Sequence, residues 1–261
     1  MQGFADVHCH LCAGLDDGPR TPDDALEMCQ IAWGEGTRMV AATAHQNESW
    51  PEVTPARIRE SAATLAAQLA ELEVPLEIFP TAEVMVWAGL EEAWDRGELL
   101  SVADGGKYLL IELPGGLFLD LSSLIVALRE RGLTPILAHP ERHPELLHSP
   151  GVMQRWIELG CLAQVSSGSL TGEIAPRDVK VLRQWAERGH IHLIGSDGHS
   201  VRRRPPKLAA AHRVLAEWIG PAAARQICET NGAAVFRGEP IEPVRPARPA
   251  PRRGWLSRFF E

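Results

Sequence analysis

The run ADVHCHLCAGLDDGPRTPDDA, residues 5–25, sets His8 and His10 one residue apart in a short apolar stretch, with Asp16 and Asp17 close behind. Residues i and i+2 of an extended chain face one side, so the two imidazoles can grip one cation. Asp197 and His199, in GSDGH, repeat that spacing near the other end of the chain. Between them, His45 (in TAH), Glu83 (in AEV), Glu112 (in IELP) and His139 (in AHPER) each close an apolar run. Imidazole and carboxylate together suit manganese, iron or zinc, and thiolates are absent from the set. One ion would leave most of these groups idle, and a buried unpaired carboxylate is costly. Two or three ions bridged by carboxylate satisfy them better.

Something must bring these groups to one place. The segments ADVHCHL, RMVAATAH, LEIFPTAEV, KYLLIELP, TPILAHPE, CLAQVSSG and IHLIGSDGH read as strands. Amphipathic helical patterns lie between most of them, in PDDALEMCQIAWGEG, PARIRESAATLAAQLAELE, LSSLIVALRERG and PRDVKVLRQWAERG. Thr21 caps the first with Pro22 at its first position, and Gly36, Gly132 and Gly189 stop helices. Strand–helix alternation of this kind predicts an α/β fold with parallel strands, a seven-stranded TIM-like barrel at 261 residues. Six of the seven strands carry metal-capable side chains at their C-terminal ends, where such barrels build their sites. His143, His148, His190, His192 and His212 have no such placement and are expected to be ordinary.

The composition narrows the chemistry further. A formal net charge of −8 argues against nucleic acid as partner. No glycine-rich nucleotide fingerprint is present. The five cysteines form no disulfide framework, there is no leader-like N-terminus, and no apolar run reaches bilayer-spanning length, so a cytoplasmic protein is expected. Thiol-dependent phosphatases need arginine six positions after the cysteine; here those positions hold Leu15, Gly18, Glu35, Ser167 and Ala234. The sequence divides into a barrel, residues 1–239, and a Pro/Arg-rich tail, 240–261, that ends in Trp255, Leu256, Phe259 and Phe260. Such a tail is either flexible or a contact for an anionic membrane surface or a partner.

DVHCH, TAH at His45, AEV at Glu83, AHPER at His139 and SDGH at Asp197 resemble the polymerase and histidinol phosphatase (PHP) family of metal-dependent hydrolases. GLDDGPRTPDDALEM, LIELP, AHPERH and RRRPPKLAAA are similar to its CpsB/CapC branch, bacterial tyrosine phosphatases of capsule and exopolysaccharide synthesis. The resemblance runs from residue 4 to about residue 236. It implies a distorted (β/α)7 barrel with a trinuclear centre, most often manganese. One ion would be held by His8, His10, Glu83 and Asp197; a second by Glu83, Glu112 and His139; a third by Asp17, His45 and His199. Arg142 and Arg204 fall where the branch holds phosphate, and His199 is also a candidate general acid. Gln46 and Ser166 depart from the branch pattern.

The implied activity is hydrolysis of phosphotyrosine on a protein, with a bacterial tyrosine kinase as partner. Two other readings stay open: a small-molecule phosphatase of the histidinol phosphate type, and a silent metal-binding scaffold.

Overall fold

The computed structural model describes residues 3–246; the end of the tail, residues 247–261, and the contacts suggested for it lie outside that range. Seven strands follow one another around a single parallel sheet: β1 (Phe4–Asp6), β2 (Thr37–Gln46), β3 (Glu77–Met85), β4 (Tyr108–Glu112), β5 (Thr134–Ala138), β6 (Leu162–Ser166) and β7 (Leu193–Gly195). The ends of the sheet meet. Val7 N donates to Ile194 O (3.4 Å), Asp197 N to His8 O (2.7 Å) and His10 N to Gly198 O (2.8 Å). The expected α/β barrel is the one observed, closed by these few bonds instead of a full ladder.

The helices lie where the sequence sets them, at Pro22–Gly34, Pro55–Glu71, Ser122–Glu130 and Pro176–Glu187, with shorter ones between. Thr21 Oγ1 accepts Asp24 N (3.2 Å), satisfying one of the free donors that begin a helix. Gly36 then takes a positive φ of 101°, which lets the chain turn directly into β2.

Strand alternation sorts the apolar residues into two clusters. Val40, Ala42, Ala44, Leu109, Ile111 and Leu137 face outward against Ile58, Leu65, Leu182 and Trp185 of the helices. Ala5, Val7, Met39, Ala41, Leu110, Ile136, Ala138 and Leu193 converge inside the barrel with Val235 and Phe236 of the last helix. Packing continues past residue 239: Val244 is buried, and Gln226 Nε2 donates to Glu242 O and Pro243 O. Among the described residues no helix is long and apolar enough to cross a membrane.

His192 belongs to this framework, just before β7. Its Nδ1 accepts Ala163 N (3.0 Å), which requires a neutral ring, and burial lowers its pKa from 6.5 to about 4. A depressed imidazole stabilises the fold fully above the unfolded value, and that stability is lost as pH falls from about 6.5 through 4. His192→Asn keeps an acceptor that cannot protonate. The drop in unfolding free energy between pH 7 and pH 4.5, read by urea titration, is expected to be about 2–3 kcal/mol smaller in this variant. An unchanged drop would show that His192 is not a source of acid sensitivity.

Candidate metal centre

The inward faces of the strands lead to the site. Met39, Ala41, Thr43 and His45 share one face of β2, as do Phe79, Thr81 and Glu83 on β3, and Tyr108, Leu110 and Glu112 on β4. Two positions break the alternation. His139 follows inward-facing Ala138 and would point outward, but its left-handed backbone (φ 31°) turns it back. His8 and His10 do not lie in a strand as expected, because β1 stops at Asp6. Asp6 Oδ1 accepts both His8 N (3.3 Å) and Ser196 N (2.8 Å), and the chain leaves the pleat there. Ala5 and Val7 face the interior while Cys9 and Leu11 face the helices, so both imidazoles turn inward. Asp197 and His199 likewise sit in a loop beyond β7, with Asp197 at φ 52°.

All nine predicted ligands converge, in overlapping groups whose donor atoms lie within 4.8 Å of one another. His8 Nε2 and His10 Nε2 are 3.1 Å apart, each 3.2 Å from Glu83 Oε2 and 3.5 and 3.7 Å from Asp197 Oδ1. His139 Nε2 lies 2.9 Å from Glu83 Oε1 and 3.6 Å from Glu112 Oε1. Asp17 Oδ1 stands 3.5 Å from His45 Nε2 and 3.4 Å from His199 Nε2. His45 Nδ1 faces back to Glu83 Oε2 (3.2 Å) and Glu112 Oε2 (3.7 Å). The centre is buried at Glu83 and open at Asp17, whose side chain is 54% exposed.

A divalent cation fits this donor set. Glu83 Oε2 is buried with no hydrogen-bond partner, although three imidazole nitrogens stand 3.2 Å away, and Glu112 Oε2 and His45 Nδ1 are equally unpartnered. Buried polar atoms usually find partners, and both carboxylate oxygens stand within 3.7 Å of His45 Nδ1, a grouping that fits the lining of an ion site. The charges agree. Burial alone would raise Glu83, but His8, His10 and His139 hold its carboxyl well below the usual range. Glu112 moves the opposite way, raised by burial and by the Glu83 charge. Two carboxylates that cannot both ionise comfortably become compatible beside a cation.

Arg142 and Arg204 also reach the site. Each brings Nη2 to Asp197 Oδ2, on the far side of that carboxylate from His8 and His10, and each is about one-third exposed. His199 Nδ1 is held by Asp197 O (2.9 Å), leaving Nε2 toward Asp17. The cysteines are elsewhere: all five are buried, and burial pushes Cys12, Cys29 and Cys161 up to about 12.

Four residues that sequence reasoning did not assign hold the site in shape. Asp16 Oδ2 pairs with His10 Nδ1 (2.7 Å) and accepts His45 N (3.0 Å), and Gln164 Oε1 meets His8 Nδ1 (3.0 Å). Each fixes a ring so that Nε2 faces the centre. Asp6 makes the turn before His8, and burial lifts its carboxyl to about 6. Glu141 Oε1 accepts Ser166 N (2.8 Å), joining the turn that carries His139 and Arg142 to β6. Gln46, one of the two departures, does not enter the centre: it accepts Leu100 N (3.0 Å) and donates to Glu98 O (3.1 Å), anchoring a neighbouring loop. Asp16→Asn is expected to weaken metal binding about 10- to 100-fold, measured by titrating stripped protein with Mn²⁺. Wild-type affinity would mean that His10 needs no such partner.

The family model for capsular polysaccharide synthesis, CpsB/CapC, matches residues 4–237. The chain belongs to the CpsB/CapC family. The tyrosine-protein phosphatase YwqE of Bacillus subtilis is 31% identical over 237 residues, covering 90% of this chain and 92% of YwqE. The tyrosine-protein phosphatase CpsB of Streptococcus pneumoniae is 25% identical over 246 residues, covering 90% and 99%. A crystal structure from work on these two CpsB/CapC proteins, described as unique metal-dependent tyrosine phosphatases, superposes with a TM-score of 0.84 at 30% identity over 93% of this chain and 99% of the other. A β-aspartyl dipeptidase from Fervidobacterium islandicum shares the fold alone, at 16% identity and a TM-score of 0.56 over 95% of this chain and 76% of its own.

Proposed function

We propose that this protein is a metal-dependent protein-tyrosine phosphatase that acts on a tyrosine kinase controlling capsule or exopolysaccharide synthesis. One observation carries the reading. Nine imidazole and carboxylate side chains gather in overlapping groups around a buried Glu83 oxygen that lacks a hydrogen-bond partner, with two arginines on Asp197 beside them. The names of the CpsB/CapC relatives support the substrate class. Five free cysteines support a reducing, cytoplasmic setting.

The partition of ligands is the one the CpsB/CapC resemblance implies. His8, His10, Glu83 and Asp197 would hold one ion; Glu83, Glu112 and His139 a second; Asp17, His45 and His199 a third, with manganese the metal the resemblance implies and iron or zinc as substitutes. The overlapping donor groups of the structure are compatible with it, with His10 also near Asp17, His45 and His199, and His45 also near Glu83 and Glu112. Ions bound there supply positive charge to the phosphate and a water acidified toward a pKa of about 7. The protein's own groups do the rest. Arg142 and Arg204 present guanidinium forks to the equatorial oxygens as charge gathers on them. The tyrosine phenolate, with a pKa near 10, leaves more readily than an alkoxide. His199, with Nδ1 held by a backbone carbonyl, is oriented as a ligand through Nε2; proton donation to the phenolate would need that nitrogen unbound.

The direct test is hydrolysis of a phosphotyrosine peptide by stripped protein titrated with Mn²⁺, beside a phosphoserine peptide and histidinol phosphate. Activity on phosphotyrosine that appears with metal and is lost in His8→Ala is expected. Activity confined to histidinol phosphate would make the protein a small-molecule phosphatase. Silence with metal bound would make it a scaffold.

A further inference from the structure

The exposed side of the metal centre opens into a groove of about 660 Å³, walled by the segment around Asp17–Glu27 and the loop His199–Arg204. Asp17 and His199, from the proposed third ion's ligand set, form its inner end together with Arg204. Farther out it is lined by Arg20, Arg202 and Arg203, all exposed. Asp24 and Glu27 line the same groove, yet none of these three arginines forms an ion pair or hydrogen bond through its guanidinium with a described residue. Asp24 instead accepts Thr21 Oγ1 at the helix start (2.8 Å).

The backbone that carries the arginines is held in place. His199 N and Ser200 N donate to Arg204 O (2.9 and 3.3 Å), and Ser200 Oγ accepts Arg203 N and Arg204 N (both 3.2 Å). Pro205 and Pro206 then stiffen the exit. Across the groove, Gly14 N donates to Pro19 O (2.9 Å), closing the loop that carries Arg20. Exposed guanidiniums lacking partners, carried on hydrogen-bonded backbone in a cleft continuous with the proposed phosphate site, match carboxylates in geometry and charge. They also give a negatively charged protein a local field that attracts an acidic peptide.

We propose that this groove reads acidic residues flanking the phosphotyrosine, so that the preferred substrate is an acidic phosphotyrosine segment. The inference rests on the phosphatase reading and adds the substrate's sequence class to it.

The experiment compares three substrates of the manganese-loaded full chain: a phosphotyrosine peptide flanked by glutamates, the same peptide with glutamines, and p-nitrophenyl phosphate. At low salt the acidic peptide is expected to have about tenfold higher kcat/KM than the neutral one, the sum of a few exposed ion pairs. The difference should shrink below about twofold at 0.5 M NaCl, where screening is short-ranged. The triple variant Arg20→Ala, Arg202→Ala, Arg203→Ala should lose the preference while its rate on p-nitrophenyl phosphate, which also reports folding, stays within about twofold. Arg202→Glu with Arg203→Glu should favour a lysine-flanked peptide. Equal kcat/KM for both peptides in the wild type, or a preference that survives the triple variant, overturns the inference and leaves the phosphatase reading standing. Failure on all three substrates with metal bound overturns both.

Discussion

Glu83→Gln is expected to lower hydrolysis of a phosphotyrosine peptide by at least about a thousandfold, the scale of losing several kcal/mol of metal-derived stabilisation. Other ligands serve one proposed ion each, whereas Glu83 faces two groups at once. Its Oε2 stands 3.2 Å from His8, His10 and His45, and its Oε1 2.9 Å from His139. The amide of glutamine is nearly isosteric but neutral, so it leaves the shape and removes the charge between neighbouring cations. The loss should therefore appear in metal content as well as rate, with fewer equivalents of manganese retained per chain by elemental analysis. Folding should not suffer to match. Breaking a buried ion pair usually destabilises by leaving one charge alone, but Asp197 still faces His8 and His10 in the variant. The metal-free variant should thus unfold cooperatively near the metal-free wild type. A variant that keeps full manganese and full activity would remove Glu83 from the centre of the scheme.

How far this site was legible in the sequence depends on which part is considered. The strand ends were legible because an apolar run that stops at an imidazole or a carboxylate contrasts sharply with its neighbours; His45, Glu83 and Glu112 need only the two-residue period of β2, β3 and β4 to turn inward. His139 was placed by its position after β5, but alternation alone would have faced it away; its left-handed backbone is visible only in three dimensions. The pair His8 and His10 was legible as a pair, though not as lying beyond the strand, because the Asx-type turn at Asp6 depends on Ser196, 190 residues away. Gln164 was illegible for a similar reason: its partner His8 is 156 residues distant, and β6 carries no ligand to draw attention to it. Asp16 and Asp17 are adjacent and chemically identical in the sequence, and the choice between a ligand and the residue that orients a ligand lies in which atom meets His10 Nδ1.

Arg142→Ala and Arg204→Ala are each expected to reduce kcat/KM for phosphotyrosine about 100-fold, as loss of one preorganised donor to a developing oxyanion does elsewhere. Both guanidiniums meet Asp197 Oδ2, while Oδ1 of the same carboxylate faces His8 and His10. One side of Asp197 therefore faces the two imidazoles and the other the arginines, which puts the cationic forks directly beside the proposed ions. From there they can take phosphate oxygens that the ions do not. Their placement on two separate loops, after β5 and after β7, means each can be removed without displacing the other. If they share one phosphate, the double variant should lose about 1,000-fold, less than the product of the single losses, because groups that act as a unit are not additive. Lysine at either position keeps the charge but not the fork, and should recover only part of the loss. Manganese content should remain at the wild-type value in all of these variants. Full activity after either alanine substitution would exclude that arginine from phosphate binding, and loss of metal in parallel with activity would instead make it a support for Asp197.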